Sequence, residues 1–334
     1  MSQYQPPLTL TSRMLSLVAE IGERVGLLFA RQEQVATPQL RRGNRIRTIQ
    51  ASLAIENNTL SVEQVTAVLD GKHVLGLPRE IQEVRNAFSA YEAMAGWQPG
   101  RHVDLLAAHA LLMHGLIDDA GHYRRGGVGI YRGERLLHMA PPASRVPQLM
   151  DDLLAWLGRC ELHPLIASCV FHYEFEFIHP FADGNGRMGR LWQTLILSQW
   201  REVLAYLPVE SVIREQQDAY YEALALSDRI AEATPFVEFM LDALREALIE
   251  SAESEQVSEQ VSEQVSEQVI RLLQVLAPGE ALKASELMQR LGLNHRPAFS
   301  KNYLKPALAA GVVEMLDPAS PRSPLQRYRR SLRS

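Results

Sequence analysis

Cysteine is nearly missing from this 334-residue chain: only Cys160 and Cys169 occur, and their spacing is not that of a C-x-x-C pair. That excludes a disulfide framework and a cysteine zinc site, and two free thiols suit a reducing, cytoplasmic setting. No apolar run reaches membrane-spanning length, so no membrane partner is expected. The first ten residues are polar and contain proline, which argues against a secretory leader. Period-two alternation is also scarce. What is abundant is apolar spacing of helical period, at 14–28, 45–60, 81–95, 103–116, 146–157 and 236–249, in a chain that is 46% hydrophobic with a net charge of −5. A mostly α fold with a large core is expected.

Twelve residues concentrate the chemistry: His179, Pro180, Phe181, Ala182, Asp183, Gly184, Asn185, Gly186, Arg187, Met188, Gly189 and Arg190. Helical spacing precedes them at 162–177 and resumes at Leu191, Trp192, Leu195, Ile196 and Trp200, so they connect two helices. Glycines at the head of the second helix let backbone N–H groups converge on an anion. Arg187 and Arg190 fall three apart in the first turn, where the helix dipole disfavours cations unless an anion neutralises them, so the pair implies a polyphosphate. Asp183 would repel phosphate directly and is read as a ligand for Mg²⁺ bridging phosphate oxygens. His179, four residues earlier, is suited to take a proton from an incoming hydroxyl. Phosphoryl or nucleotidyl transfer follows. Phe181, Met188 and Trp192 are expected in the core, and His172 as a hydrogen-bonded core residue.

The same residues fit His-x-Phe-x-(Asp/Glu)-Gly-Asn-Gly-Arg-x-x-Arg without departure, and the chain thereby resembles the Fic proteins. The resemblance implies a Fic-fold helical bundle with a small β-hairpin flap, and transfer of AMP from ATP to a Ser, Thr or Tyr hydroxyl of a protein. It makes His179 the general base, Asp183 the Mg²⁺ ligand, Gly184, Asn185 and Gly186 the anion hole, and Arg187 and Arg190 the grip on the outer phosphates. Upstream, Ser52 to Asn57 resembles the family's inhibitory helix, Ser/Thr-x-x-x-Glu-(Gly/Asn), and by that likeness Glu56 pairs with Arg190 and denies it to the γ-phosphate. Asn57 and Asn58 should end that helix, and Ser61 to Gln64 has capping-box spacing for the next. The glycine-rich stretch 121–139 is the hairpin candidate, similar in position to the flap that clamps a target strand. The segment 220–228 is similar to the adenine-facing helix, with Tyr221 and Asp228 chosen as its contacts.

Ser254-Glu255-Gln256-Val257 recurs four times, to Val269, and reads as a linker over 250–270. Before it, 1–100 is assigned to an N-terminal helical region and 101–249 to the catalytic core. After it, 271–334 resembles a small winged-helix-like α+β domain: helices at 283–292 and 297–310, strands at 311–315 and 325–328. Residues 281–334 carry a net charge of +7, against −12 for the remainder. Arg296, Ser300, Lys301 and Lys305 on the second helix, with Arg322, Arg327, Arg329 and Arg330 around the wing, form a candidate face for DNA or for a protein. The expected function is therefore an adenylyltransferase restrained by its own N-terminal helix, with ATP and Mg²⁺ and with a target protein or itself as acceptor. A homodimer is a further candidate assembly. The alternatives are phosphorylation, phosphocholination, removal of AMP, or a DNA-binding regulator that senses nucleotide.

Overall fold

Helix α1 (Ser12–Val35), α2 (Pro38–Ile55), α3 (Val62–Leu69), α4 (Pro78–Ala93) and α5 (His102–Leu112) lead into a hairpin of β1 (Gly129–Arg132) and β2 (Arg135–Met139). Then follow α6 (Val146–Arg159), α7 (Pro164–Ile178), α8 (Asn185–Trp200), α9 (Val209–Glu215), α10 (Gln217–Ile230) and α11 (Thr234–Val275). The computed structural model describes residues 4–35, 38–132, 135–277, 279–309, 311–318, 320, 321, 323 and 326–331, and of those within 29–40, 129–138 and 253–266 the backbone alone. The chain divides into two compact units, Met1–Ser251 and Ala252–Ser334.

The first unit is organised around α7, which is apolar on nearly every side. Pro164 stands at its first turn, and the His163 side chain accepts from the Leu165 N–H as its cap. Leu165, Val170, Phe171 and Phe175 are wholly buried. A helix buried all round has no solvent face for its polar residues, so each needs a partner. His172 bonds through Nδ1 to Gln193 Oε1 at 2.7 Å and through Nε2 to the Tyr220 hydroxyl at 3.2 Å. Glu174 accepts from the Tyr4 hydroxyl at 2.6 Å. The helix α8 packs against α7 closely enough that a Cβ on Gly189 would lie 2.8 Å from His172 Cδ2 and 3.0 Å from Glu176 Oε1.

Boundaries differ from the sequence reading in physically simple ways. The helix expected within 45–60 begins earlier, at Pro38, and ends at Ile55, where Gln217 Nε2 donates to its terminal carbonyl and the expected break at Asn57 appears as a left-handed turn at φ 69°. Ser61 and Gln64 form the expected capping box of α3. The hairpin occupies only the second half of 121–139, antiparallel with a bulge between Ile130 and Tyr131. The helix expected over 236–249 runs on to Val275.

In the second unit β3 (Ala281–Lys283), α12 (Ala284–Arg290), α13 (Arg296–Phe299), α14 (Lys305–Ala309), β4 (Val313–Met315) and β5 (Arg327–Arg330) follow in order, with a π turn at Ser300–Leu304 joining α13 to α14. The antiparallel sheet has the order β3-β5-β4, so the two C-terminal strands fold back beside a strand that precedes the helices. Strand β3 was not foreseen. Leu287, Phe299, Tyr303, Ala307 and Val313 form its core. The wing arginines are not the free cations that the sequence suggested. Arg329 bonds Glu314 at 2.5 Å, and Arg330 donates to the carbonyls of Leu276 (2.6 Å) and Leu273, because carbonyls at a helix end attract a guanidinium. Arg327 reaches Ala281 O at 3.4 Å, while Arg322 and Leu325 lie outside the described residues. Arg296, Lys301 and Lys305 remain exposed.

The contact at Gly189 gives a stability prediction. Helix propensity alone would favour alanine there by about 1 kcal/mol, but its methyl would meet a ring fixed from both nitrogens, an overpacking that costs ~1–3 kcal/mol. Gly189→Ala should therefore lower the denaturant midpoint of the first unit, and a midpoint at or above wild type would mean that α7 and α8 can move apart.

Candidate active site

The turn between α7 and α8 is built to hold an unusual backbone. His179 ends α7 in the left-handed region at φ 49°, and Gly184 caps α8 at φ 84°. A side chain at Gly184 would meet Met113 Sδ at 2.6 Å as well as strain the backbone. Between them Asn185 closes the loop on itself, its Oδ1 accepting from Phe181 N and its Nδ2 donating to Phe181 O, both at 2.9 Å. Phe181 is wholly buried and stacks on His109 with centroids 3.6 Å apart. His109 Nδ1 accepts from Gly121 N at 2.8 Å, so Nε2 carries the proton given to Asp183 O at 3.0 Å. Burial lowers the His109 pKa to about 4, which keeps this support neutral. Asn185 thus contributes structure through its side chain, and only its backbone N–H, with that of Gly186, is placed in the first turn for an anion.

The two arginines are not awaiting a ligand, as their position in the sequence implied. Carboxylates from elsewhere already neutralise them. Arg190, 2% exposed, donates through Nε to Ser52 Oγ at 3.0 Å and through Nη2 to Ser52 O at 3.0 Å and Glu56 Oε1 at 2.8 Å. Burial opposes its charge, but Glu56 and its neighbours outweigh that, and its pKa is raised. Glu56 sits just past the end of α2, held by the turn that Asn58 anchors to Glu80 O (3.3 Å) and Glu83 Oε2 (2.9 Å). Its carboxylate fills the space a side chain at Gly186 would need. Arg187 lies between Glu83 on α4 (3.4 Å) and Asp183 (3.1 Å).

Asp183 Oδ1 also accepts from Gly184 N at 2.6 Å, and Oδ2 from the exposed Arg79 at 3.1 Å. Among the described residues no group of three or more His, Cys, Asp or Glu could hold a metal ion. A lone, partly exposed carboxylate beside a phosphate-sized anion site still fits Mg²⁺, which commonly takes one or two carboxylates and completes its shell with water and substrate phosphate.

Beside these groups opens a cleft with a cavity volume of about 110 Å³. Its lining includes the polar His179, Gly186, Arg190 and Glu56 and the apolar Phe177, Leu224 and Ala225. Tyr221 and Asp228 line it too. Tyr220 is 2% exposed and turned inward to His172, while Tyr173 donates to Asp228 Oδ1 at 3.0 Å. Ser52 and Glu56, Arg190 and His179 therefore converge from α2, α8 and the end of α7. Sequence reasoning missed Glu83, Arg79 and His109.

Comparison with known proteins places the chain in a family. The chain is 62% identical to a Fic family protein from Desulfovibrio desulfuricans whose crystal structure superposes with a TM-score of 0.76 over 99% of both chains. The chain belongs to the Fic family. The Fic/DOC family model matches residues 100–197, and that of the Filamentation induced by cAMP protein Fic-like, C-terminal domain matches 267–331. A Fic domain containing signaling protein from Bacteroides thetaiotaomicron shares the fold at 18% identity, with a TM-score of 0.57 over 73% of this chain and 98% of that one. Proteins named protein adenylyltransferase Fic from Drosophila mojavensis and Aedes aegypti are 29% and 28% identical, over 69% and 61% of this chain. The chain spans only 46% and 41% of their lengths. No helix among the described residues is long and apolar enough to cross a membrane.

A titration prediction follows from the core of this Fic site. Desolvation, against a smaller opposing effect of Gln193, lowers the His172 pKa from 6.5 to about 3. The unfolded chain binds this proton first, so the stability it confers is complete above about pH 6.5 and is lost as pH falls towards 3. Nitrogen NMR should find the ring neutral and Nδ1-protonated at pH 5; a midpoint near 6.5 would contradict its burial between Gln193 and Tyr220.

Proposed function

We propose that this Fic protein is a protein adenylyltransferase held back by its own N-terminal helix. The observation that carries the reading is the 2.8 Å pair of Glu56 with Arg190, set against Gly186 and lining the same cleft as His179. A buried arginine at the positive end of a helix requires an anion. A terminal phosphate of ATP and the Glu56 carboxylate are rival occupants of that role. The apolar lining of the cleft, with Tyr221 and Asp228, suits a base, and the related adenylyltransferases supply the reaction class.

In this reading the target hydroxyl gives its proton to the His179 imidazole as its oxygen forms a bond to the α-phosphorus. The bond from that phosphorus to the bridging oxygen breaks, and pyrophosphate leaves. First-turn N–H groups of Asn185 and Gly186 stabilise the charge that develops on the α-phosphate. Arg187 and Arg190 hold the departing phosphates once Glu83 and Glu56 release them. Mg²⁺, held by Asp183, would neutralise phosphate charge when bound. The acceptor, the chain itself or another protein, is a Ser, Thr or Tyr hydroxyl presented along the hairpin as an added strand.

The test uses ATP labelled at the α or the γ phosphate. Glu56→Gly should raise α-label transfer to protein by about tenfold or more, since losing a charged hydrogen bond forfeits ~1–3 kcal/mol of restraint. Adding Arg190→Ala should cancel the gain. His179→Ala in the same background should lose ~10²–10⁴-fold while still binding ATP. Protein labelled only from the γ position would refute adenylylation and favour phosphorylation. Equal activity of Glu56→Gly and wild type at saturating ATP would remove Glu56 as the brake.

A further inference from the structure

Arg124 has no part in the reaction just described, yet it is 3% exposed and its guanidinium touches three separate stretches of backbone. Nε donates to His179 O at 2.7 Å and Nη2 to Ile178 O at 3.3 Å, the last carbonyls of α7 and its cap. Nη1 donates to Gly126 O at 2.9 Å, just before β1, and Nη2 to Pro141 O at 2.5 Å, just after β2. Its own N–H donates to Pro180 O at 2.9 Å. Among the described residues it forms no ion pair, and burial alone lowers its pKa. Keeping a cation there without a carboxylate is unfavourable unless carbonyl dipoles solvate it on several sides, and these do.

We propose that Arg124 is a positioning residue that fixes the two roots of the hairpin to the turn carrying His179. A cap of α7 would need only the carbonyls of Ile178 and His179. The two further bonds reach both sides of the hairpin neck, which Ala140 N closes on Val128 O at 3.2 Å. Four donors of one planar, rigid group thus set the distance between the strand on which a target would be laid and the base that would deprotonate it. The left-handed backbone of His179, uncommon for a residue with a side chain, is held from the same point. The catalytic part of this inference rests on the adenylyltransferase reading; the structural coupling does not.

Arg124→Lys keeps the charge and can still cap α7, but a single ammonium cannot span the fork. Arg124→Ala is its companion, each made in the full-length chain carrying Glu56→Gly. Hydrogen exchange should quicken together in residues 124–128, 139–142 and 178–182, with α8 and α10 unchanged. Self-labelling from α-labelled ATP should fall roughly tenfold to a hundredfold in kcat, with the KM for ATP within about threefold because no cleft-lining residue is altered. Exchange that quickens in one of these segments alone, or evenly through α7 and α8, would overturn the coupling, as would unchanged exchange in Arg124→Lys. A kcat equal to that of Glu56→Gly alone would overturn the positioning role. If Glu56→Gly itself labels nothing, the adenylyltransferase reading fails and the exchange measurement alone decides on Arg124. Should Arg124→Ala not fold, Arg124→Lys carries the test.

Discussion

A guanidinium sealed into a protein at the amino end of a helix needs a negative partner, and Arg190 is in that position. Burial and the helix dipole both act against its charge. Ser52 gives it two oxygens, but neither is an anion; Glu56 supplies the counter-charge. Much of the surrounding design can be traced to that requirement. Helix α2 must end at Ile55 so that Glu56 can leave the helical path and reach over Gly186. The turn after it is tied to α4 through Asn58, Glu80 and Glu83. The same α4 provides an anion for Arg187, so both arginines are paired with carboxylates from the N-terminal part of the chain.

How much of this was legible beforehand depended on whether a function is local in sequence. The turn from His179 to Arg190 was readable because its glycines, its acid and its arginines act through one stretch of backbone. Ser52 and Glu56 were readable only through likeness to a known pattern, since four-residue spacing on a helix is common. The partners Glu83, Arg79 and His109 leave no trace at that level: they come from α4 and α5, 74 to 104 residues upstream of the groups they bond, and meet the turn only in three dimensions. Arg124 was invisible for another reason, because its acceptors are carbonyls, which every residue carries. The arginines near the C-terminus show the converse effect. A run of arginines looked like a surface for an acidic partner, whereas Arg329 and Arg330 are engaged by Glu314 and by the end of α11.

The cleft has its own division of labour. Tyr220 and Tyr221 both border the cleft, but only Tyr220 gives its hydroxyl to His172 in the core, since adjacent residues on a helix point about 100° apart. Tyr220 helps to fix the ring that leaves no room for a side chain at Gly189, and Tyr221 lines the cleft with Leu224 and Asp228.

The missing side chain at Gly186 has a consequence for how such a protein can change over generations. Any larger residue there would displace the Glu56 carboxylate, and under the proposed function it would also occupy the first turn of α8, where an anion approaches the backbone. On that reading, mutations at this glycine cannot loosen the proposed restraint while leaving the site intact. A lineage that gains a freer enzyme has to do so from the other side of the contact, by losing the acid or shifting the end of α2, and those positions, being outside the anion-binding turn, can vary without harming it.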